Sequence, residues 1–311
     1  MKTIYTIYEN INENTAVTVG KFDGMHKGHE LLVNNIKSQS NRGYKSCILS
    51  FDVSPNISLG KKYVGQLITN EERQALLERE GIDYLLQCTF EKEIMNLEPK
   101  EFIELLVNNF NMKYMTCGTD FHFGKKGAGD VELLAKLSEE MGFGLEVIEK
   151  LQANNRDISS TYIKDEILKG NVALANKLLG YKYSMWGQVV HGNHLGRRYG
   201  LPTINILPPD IKLLPPNGVY ITEVYIDSRK YHGVTNIGTK PTVSGDKIVG
   251  VETHILDFNK DVYEKQVQVV FLEYIRPERK FNSLDELFEQ MNKDKNQARD
   301  YFNYYKNVTN C

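Results

Sequence analysis

The chain has 311 residues, of which 41% are hydrophobic and 25% are charged, a balance typical of a globular protein with one large domain or two ordinary ones. Its 38 basic and 40 acidic residues give a net charge of -2, which argues against nucleic acid or an anionic membrane as a partner. The four cysteines form no C-x-x-C pair, and neither a signal peptide nor a membrane-spanning run is recognisable. We therefore expect a cytoplasmic protein, and we expect any polyanion that it binds to be small; nothing in the sequence indicates its oligomeric state.

In the first half of the chain, short apolar segments alternate with longer amphipathic ones. Strands are predicted at 16–20, 46–51, 84–87, 114–117 and 144–149, and helices from residue 30 and at 70–80, 99–109 and 130–141. This alternation predicts an α/β doubly wound domain with a parallel sheet, in which ligands bind at the carboxyl ends of the strands.

The segment VTVGKFDGMHKGHELL, residues 17–32, predicts a strand, a glycine turn and the start of a helix. Gly20, Gly24 and Gly28 permit a tight turn and a close approach of a ligand, and free N–H groups at a helix start favour phosphate. His26 and His29 are three residues apart, so both side chains project to one side and could donate hydrogen bonds to phosphate oxygens.

Two alternatives for this histidine pair are a pair of surface side chains and a zinc site, and zinc would require a third ligand that no nearby cluster supplies. The pattern G-x-F-D-G-x-H-x-G-H resembles the nucleotidyltransferase signature of the bacterial bifunctional riboflavin kinase/FAD synthetase family. The resemblance implies catalytic roles for the two histidines. It also implies ATP or phosphate binding by Gly20, Phe22, Asp23, Gly24 and Gly28.

A second glycine-rich loop, GTDFHFGKKGAGD, occupies residues 118–130. Phe121 and Phe123 are two residues apart, so in an extended segment they share a face, where they could stack on a flat ligand or be buried in the core. In the resembled family this loop contributes to the flavin end of the adenylyltransferase site. The resemblance therefore implies flavin binding by Asp120, Phe121 and Phe123.

Hydroxyl groups precede the helix predicted within residues 158–170, where they could cap it. The resemblance instead implies a second phosphate clamp of Ser160, Thr161 and Lys164. Lys164 stands where the family usually has arginine, so a point charge replaces a bidentate fork.

A second departure lies in FDVSPN, residues 51–56, where relatives read F-x-P-H-P and this chain has Val53 and Ser54. The family histidine is thought to lie near the reacting phosphates, so its loss bears on the rate of adenylyl transfer. The resemblance places Asn56 among the flavin-binding residues.

After a helix that ends near Gly180, the pattern changes to short strands, at 185–190, 203–206, 218–226, 230–237, 250–256 and 266–275. These strands predict a small antiparallel β-barrel, and a C-terminal helix is predicted at 283–306. The predicted domains are therefore an adenylyltransferase domain over 1–182 and a kinase barrel over 183–311. Leu284, Leu287, Phe288 and Met291 form one apolar helix face that we expect to close the barrel.

Within the barrel, HGNHLGRRYGLPTIN covers residues 191–205, and Thr203 and Asn205 lie on one side of a strand. Their oxygens suit Mg²⁺, although a polar strand start is the alternative. The run matches the riboflavin kinase signature G-R-x-x-G-x-P-T-x-N, which implies metal binding by these two residues and ATP binding by Gly196, Arg197 and Gly200.

The segment VETHILDFNKDVY, residues 251–263, resembles the family strand that carries the carboxylate base. Glu252 is the candidate that would accept the proton of the ribityl 5'-hydroxyl. Arg276 is a candidate contact for flavin or phosphate. For both residues, a plain surface charge is the alternative.

These resemblances together imply an enzyme that converts riboflavin to FMN and then to FAD with two ATP and Mg²⁺. One alternative is a riboflavin kinase with weak or absent adenylyltransferase activity, suggested by Ser54 and Lys164. Another is a non-catalytic flavin-binding regulator. The combination of Thr203, Asn205 and Glu252 argues against the regulator, because sensing requires neither a metal nor a base.

Overall fold

The computed structural model describes residues 1–52, 65–89, 92–191, 202–241 and 247–309. The chain divides into two compact units, Met1–Ser160 and Thr161–Cys311. Within the described ranges, no helix is long and apolar enough to cross a membrane.

The first unit contains a parallel six-stranded sheet whose strands are ordered β1-β4-β3-β2-β5-β6. The strands are β1 (Lys2–Ile4), β2 (Thr15–Gly20), β3 (Lys45–Asp52), β4 (Tyr84–Thr89), β5 (Met112–Gly118) and β6 (Gly144–Ile148). The helices are α1 (Lys27–Ser38), α2 (Asn70–Arg79), α3 (Lys92–Asn96), α4 (Pro99–Asn109) and α5 (Val131–Met141). The predicted doubly wound sheet is thus confirmed, and β1 and α3 are additions to it.

Strand β2 occupies the point at which the strand order reverses, because β3 pairs with one of its sides and β5 with the other. Loops that leave neighbouring strands in opposite directions open a crevice at their carboxyl ends. The turn after Gly20 and the loop after Gly118 therefore lie on either side of this crevice.

A small hairpin of β7 (Gln152–Ala153) and β8 (Arg156–Asp157) follows the sheet. It precedes α6 (Ser160–Leu168) and α7 (Val172–Leu179). The second compact unit, which begins at Thr161, includes α7 and almost all of α6. The Asn176 side chain joins α7 to the barrel, since its Nδ2 donates to Phe271 O at 2.9 Å and its Oδ1 accepts from Tyr183 N at 2.6 Å. The boundary near residue 182 stays a prediction about which fragment folds alone.

The remaining strands form a closed antiparallel barrel in the order β10-β13-β12-β11-β14-β9, and β9 returns to β10. They are β9 (Ser184–Val190), β10 (Thr203–Leu207), β11 (Gly218–Ile226), β12 (Arg229–Pro241), β13 (Lys247–Ile255) and β14 (Gln266–Pro277), followed by helix α8 (Leu284–Thr309). The predicted barrel with its C-terminal helix is confirmed. The expectation that the helix closes the barrel is wrong, because the β9–β10 pairing closes it and the apolar face of α8 lines a cavity instead.

Candidate active sites

The turn between β2 and α1 bends sharply at three residues with positive φ: Phe22 (47°), Gly24 (92°) and Met25 (39°). Only glycine adopts such a φ without strain, which explains the glycine at position 24. His26 is the N-cap of α1, and its Nδ1 accepts a hydrogen bond from the backbone N of His29 at 3.4 Å. A side chain at Gly28 would come within 3.2 Å of the His26 ring, so this glycine leaves room for the imidazole.

The His26 and His29 rings stack with centroids 3.7 Å apart. Burial lowers the pKa of His26 to about 4, although the nearby Asp23 carboxylate partly opposes the shift. Burial, with a smaller contribution from His26, also holds the pKa of His29 well below its ordinary value. Both imidazoles are therefore neutral at pH 7. The Nδ1 atom of His29 is buried and has no hydrogen-bond partner among the described residues, so a ligand could use it.

Phe22 packs against the His29 ring of this pair. Its side chain is 0% exposed, and its ring lies 4.9 Å from the His29 ring. A role of Phe22 in ATP binding would therefore fall to its backbone, while its ring sets the position of His29.

The turn is also held by partly buried polar contacts within the first unit. Asp23 Oδ1 accepts from the backbone N of Leu67 at 2.7 Å, and the hydroxyl of Ser160 donates to Asp23 O at 2.6 Å. Ser160 is thus brought to this turn, and its role in binding phosphate stays a prediction. Asp23 fixes the turn through its carboxylate.

Two supporting residues were missed in the sequence. Arg73, 3% exposed, donates from Nη1 to Lys21 O at 3.1 Å and to the hydroxyl of Ser50. Ser50 in turn donates to Lys21 O at 3.2 Å. The sequence places Arg73 in the first turn of a predicted helix, but it gives no sign that this side chain is buried.

In the loop after β5, Phe121 and Phe123 share a face as predicted, with parallel rings 5.5 Å apart. Phe123 is 4% exposed and belongs to the core, while Phe121 is half-buried against it. Asp120 is exposed and pairs with Lys150 Nζ at 2.7 Å. Of the two rings, Phe121 is the one that is open to a ligand.

For the remaining candidates of the first site, the structure gives the exposure of two residues in helix α6. Thr161 is exposed and Lys164 half-buried in the first turns of α6. Ser54 and Asn56 lie outside the described residues, as do Gly196, Arg197 and Gly200 of the second site.

In the barrel, strand register aligns three polar residues on neighbouring strands. Glu252 of β13 stands opposite Asn205 of β10 on one side and opposite Asn236 of β12 on the other. The Thr203 hydroxyl donates to Glu252 Oε1 at 2.7 Å. Thr203, Asn205 and Glu252 are thus brought together, and strand register adds Asn236 to them.

Two cavities adjoin this cluster, and Thr203 lines both. One cavity of about 300 Å³ lies between the outer barrel face and α8, and Glu252 and Asn236 line it on the barrel side. Its helix side consists of Leu284, Leu287, Phe288, Met291 and Asp294. The other cavity, of about 240 Å³, is lined by Asn205 and by the segment from Phe258 to Tyr263.

Arg276 also lines the larger cavity, and it is not a plain surface charge. Its Nε donates to Asp294 Oδ1 at 3.0 Å and its Nη2 to Asp294 Oδ2 at 2.7 Å. The two side chains are only 18% and 4% exposed. Gln290 Nε2 adds a hydrogen bond to Asp294 Oδ1 at 2.7 Å.

The two sites differ in the side chains that they offer to a metal ion. Among the described residues, no cluster of three or more His, Cys, Asp or Glu side chains could hold a metal ion. The barrel cluster has a different composition: the hydroxyl of Thr203, the amide of Asn205 and the carboxylate of Glu252. These are hard oxygen donors, which fit a magnesium ion that keeps part of its water shell.

Both halves of the chain match known protein families. The riboflavin kinase family model matches residues 179–302, and the FAD synthetase family model matches residues 8–162. A chain described as a macrolide-efflux protein from Streptococcus pneumoniae has the same fold, with a TM-score of 0.87 and 32% identity over 96% of this chain and 98% of its own. That description differs from those of both family models.

Curated relatives cover the chain almost completely. Bifunctional riboflavin kinase/FMN adenylyltransferases from Bacillus subtilis and Listeria monocytogenes are 35% and 32% identical, each over 97% of this chain and 98% of the relative. The enzyme of the same name from Escherichia coli is 34% identical over 98% of both chains. The chain therefore belongs to the bifunctional riboflavin kinase/FMN adenylyltransferase family.

Proposed function

We propose that this chain catalyses both reactions of its family, phosphorylation of riboflavin to FMN in the barrel and adenylylation of FMN to FAD at the β2–α1 turn. The observation that carries the kinase proposal is the Thr203–Glu252 contact of 2.7 Å at the edge of two cavities. Because Thr203 lines both cavities, substrates held in each of them would meet beside Glu252.

The larger cavity suits riboflavin, because its helix wall is apolar and a flat ring system can pack against it. The smaller cavity suits ATP, since it contains Asn205, Lys260 and other polar groups. In this arrangement Glu252 accepts the proton of the ribityl 5'-hydroxyl as the hydroxyl oxygen attacks the γ-phosphorus of ATP.

Thr203 and Asn205 would hold Mg²⁺ at this point. When bound, the ion would neutralise charge on the transferring phosphoryl group. The chain's own contribution is positional: the hydrogen bond from Thr203 orients the Glu252 carboxylate, and the barrel register keeps Asn205 directly opposite that carboxylate.

In the first unit, the N-terminal end of α1 and the glycine turn would bind the phosphates of a second ATP. The FMN phosphate attacks the α-phosphorus and pyrophosphate leaves, so the protein needs no covalent intermediate. The neutral imidazoles of His26 and His29 would donate hydrogen bonds to oxygens that gain charge during transfer. The unpartnered Nδ1 of His29 supports this role.

Incubation of the purified protein with riboflavin, ATP and Mg²⁺, with FMN and FAD resolved over time, tests the proposal. We expect FMN to rise first and FAD to follow, and we expect neither product when EDTA replaces Mg²⁺. FMN without FAD would favour a kinase that has lost adenylyl transfer. The absence of both products, with flavin still bound, would favour the regulator.

A second experiment tests the cavity assignment. Met291→Trp would fill part of the larger cavity and should raise the KM for riboflavin while the KM for ATP is unchanged. Met291→Leu conserves volume and serves as the matched control. An unchanged riboflavin KM in Met291→Trp would contradict the assignment.

Location in the cytoplasm stays a prediction from the sequence.

A further inference from the structure

The pair of Arg276 and Asp294 joins the last barrel strand to helix α8 at the wall of the larger cavity. Asp294 is 3% exposed, and a buried carboxylate is costly unless it is paired and fully hydrogen-bonded. Arg276 and Gln290 supply these bonds. The arrangement therefore fixes the guanidinium of Arg276 in one orientation.

The hydrogen bonds of Arg276 leave part of its guanidinium available. Nε and one N–H of Nη2 are directed at Asp294, and one N–H of Nη1 donates to Pro277 O at 3.1 Å. A guanidinium has five N–H groups, so two have no partner among the described residues. These two belong to a side chain that lines the cavity.

The pair is also neutral as a whole, which matters because Glu252 lines the same cavity. Without Asp294, Arg276 would bring an uncompensated positive charge into a cavity that contains the Glu252 carboxylate. Attraction between the two would favour a contact that competes with the one from Thr203. The neutral pair leaves Arg276 able to donate hydrogen bonds without capturing that carboxylate.

We infer that Asp294 is a positioning residue for riboflavin recognition: it holds Arg276 so that the remaining N–H groups donate to the acceptor atoms of the flavin ring. The apolar face of α8 packs against the ring, and Arg276 reads its polar edge. Helix α8 thus contributes to substrate specificity through Asp294, which acts by way of Arg276. This inference rests on the proposed function, namely on the larger cavity as the riboflavin site.

The test is the riboflavin dependence of FMN formation in Asp294→Asn, at saturating ATP and Mg²⁺, with direct riboflavin binding measured by flavin fluorescence. We expect the riboflavin KM and dissociation constant to rise roughly ten- to hundredfold, the range of a lost charged hydrogen bond, with kcat nearly unchanged. Asp294→Glu should restore part of the loss. Asp300→Asn makes the same chemical change at an exposed position of α8 and should have no effect.

A general folding defect would give a different result. FAD formation from supplied FMN uses the other unit and should be normal in Asp294→Asn. If Asp294→Asn does not fold, Gln290→Ala keeps the ion pair but removes one restraint, and we expect its riboflavin KM to rise a few-fold. Unchanged riboflavin binding in Asp294→Asn, or in Gln290→Ala when only that variant folds, would overturn the inference.

The Met291→Trp variant separates this inference from the proposed function. If Met291→Trp weakens riboflavin binding but Asp294→Asn does not, the cavity assignment stands and the role of Asp294 fails. If neither variant changes riboflavin binding, the assignment of the cavity fails first.

Discussion

In the first unit, backbone geometry and buried side chains hold the turn after β2 in place. In the barrel, by contrast, Glu252 stands on strand β13, and helix α8 completes the cavity beside it. The turn has positive φ at three residues and accepts hydrogen bonds from Leu67, Arg73 and Ser160. The barrel cluster depends on register between β10, β12 and β13. The two histidines of the first site thus lie within one short motif, which residues distant in the chain hold in place, whereas the barrel residues stand on three different strands.

This difference has a chemical counterpart. Adenylyl transfer requires donors aimed at phosphate oxygens, which a helix N-terminus and neutral imidazoles supply. Phosphorylation of a hydroxyl also requires a proton acceptor, which a carboxylate supplies. Because the chemistries and their residues are separate, damage to one site should leave the other active.

The largest effect is expected at the boundary between the units. A fragment that begins at Lys182 lacks α7, whose Val172, Leu178 and Leu179 are at most 2% exposed. Burial of three such side chains stabilises by roughly 4–9 kcal/mol as an upper bound. We therefore expect urea unfolding to show a fragment from Ser159 to be more stable than one from Lys182. Equal stability would support the boundary predicted from the sequence.

Glu252→Gln should lower the rate of FMN formation by roughly two to four orders of magnitude, because glutamine has nearly the same shape but cannot accept a proton. FAD formation from supplied FMN should remain at the wild-type rate. Assays of the two steps with separate substrates measure this. A parallel loss of both activities would mean that Glu252 has a structural role.

His29→Ala should lower the rate of FAD formation from FMN by roughly two to three orders of magnitude, the effect of removing one donor to a developing charge. Kinase activity should persist. Asn34→Ala, at an exposed position of the same helix, is the matched control. Normal FAD formation in His29→Ala would remove the histidine from the mechanism.

A smaller effect concerns pH and stability. The pKa of His26 is about 4 in the folded protein against 6.5 for an unperturbed histidine, so the unfolded chain binds more protons between these values. The part of the free energy of unfolding that depends on a neutral His26 is about 3 kcal/mol. It is fully present above pH 6.5 and is lost as pH falls towards 4. Urea unfolding should therefore show a steeper loss of stability in wild type than in His26→Gln. Identical pH dependence would contradict the burial of a neutral His26.

The difference between the two sites also explains how much of each could be predicted from the sequence. The turn after β2 is a short motif, so Gly24, His26 and His29 could be identified from their spacing, and hydrophobic periodicity predicted the strand before it. Arg73 could not be identified, because its burial depends on a contact with Lys21 more than fifty residues away. In the barrel, Glu252 was found through a resemblance, and strand register shows that Asn236 stands beside it.

Arg276 illustrates the limit most clearly. Its charge could be read from the sequence, but its partner Asp294 lies on another element, eighteen residues further along the chain. Helical spacing places Asp294 on the apolar face, three residues after Met291 and seven after Leu287, but it does not identify Arg276 as the partner. The apolar face of α8 was predicted correctly, yet its role was not, since a face that lines a cavity and a face that packs on a core have the same periodicity.

The central claim is that the chain has two independent sites, one for each reaction, and mixing two inactivated variants tests it most directly. Neither Glu252→Gln nor His29→Ala should convert riboflavin to FAD efficiently, since each lacks one step. An equimolar mixture supplied with riboflavin, ATP and Mg²⁺ should form FAD, because FMN released by His29→Ala is a substrate for Glu252→Gln. A mixture that forms no more FAD than the variants do separately would contradict the account.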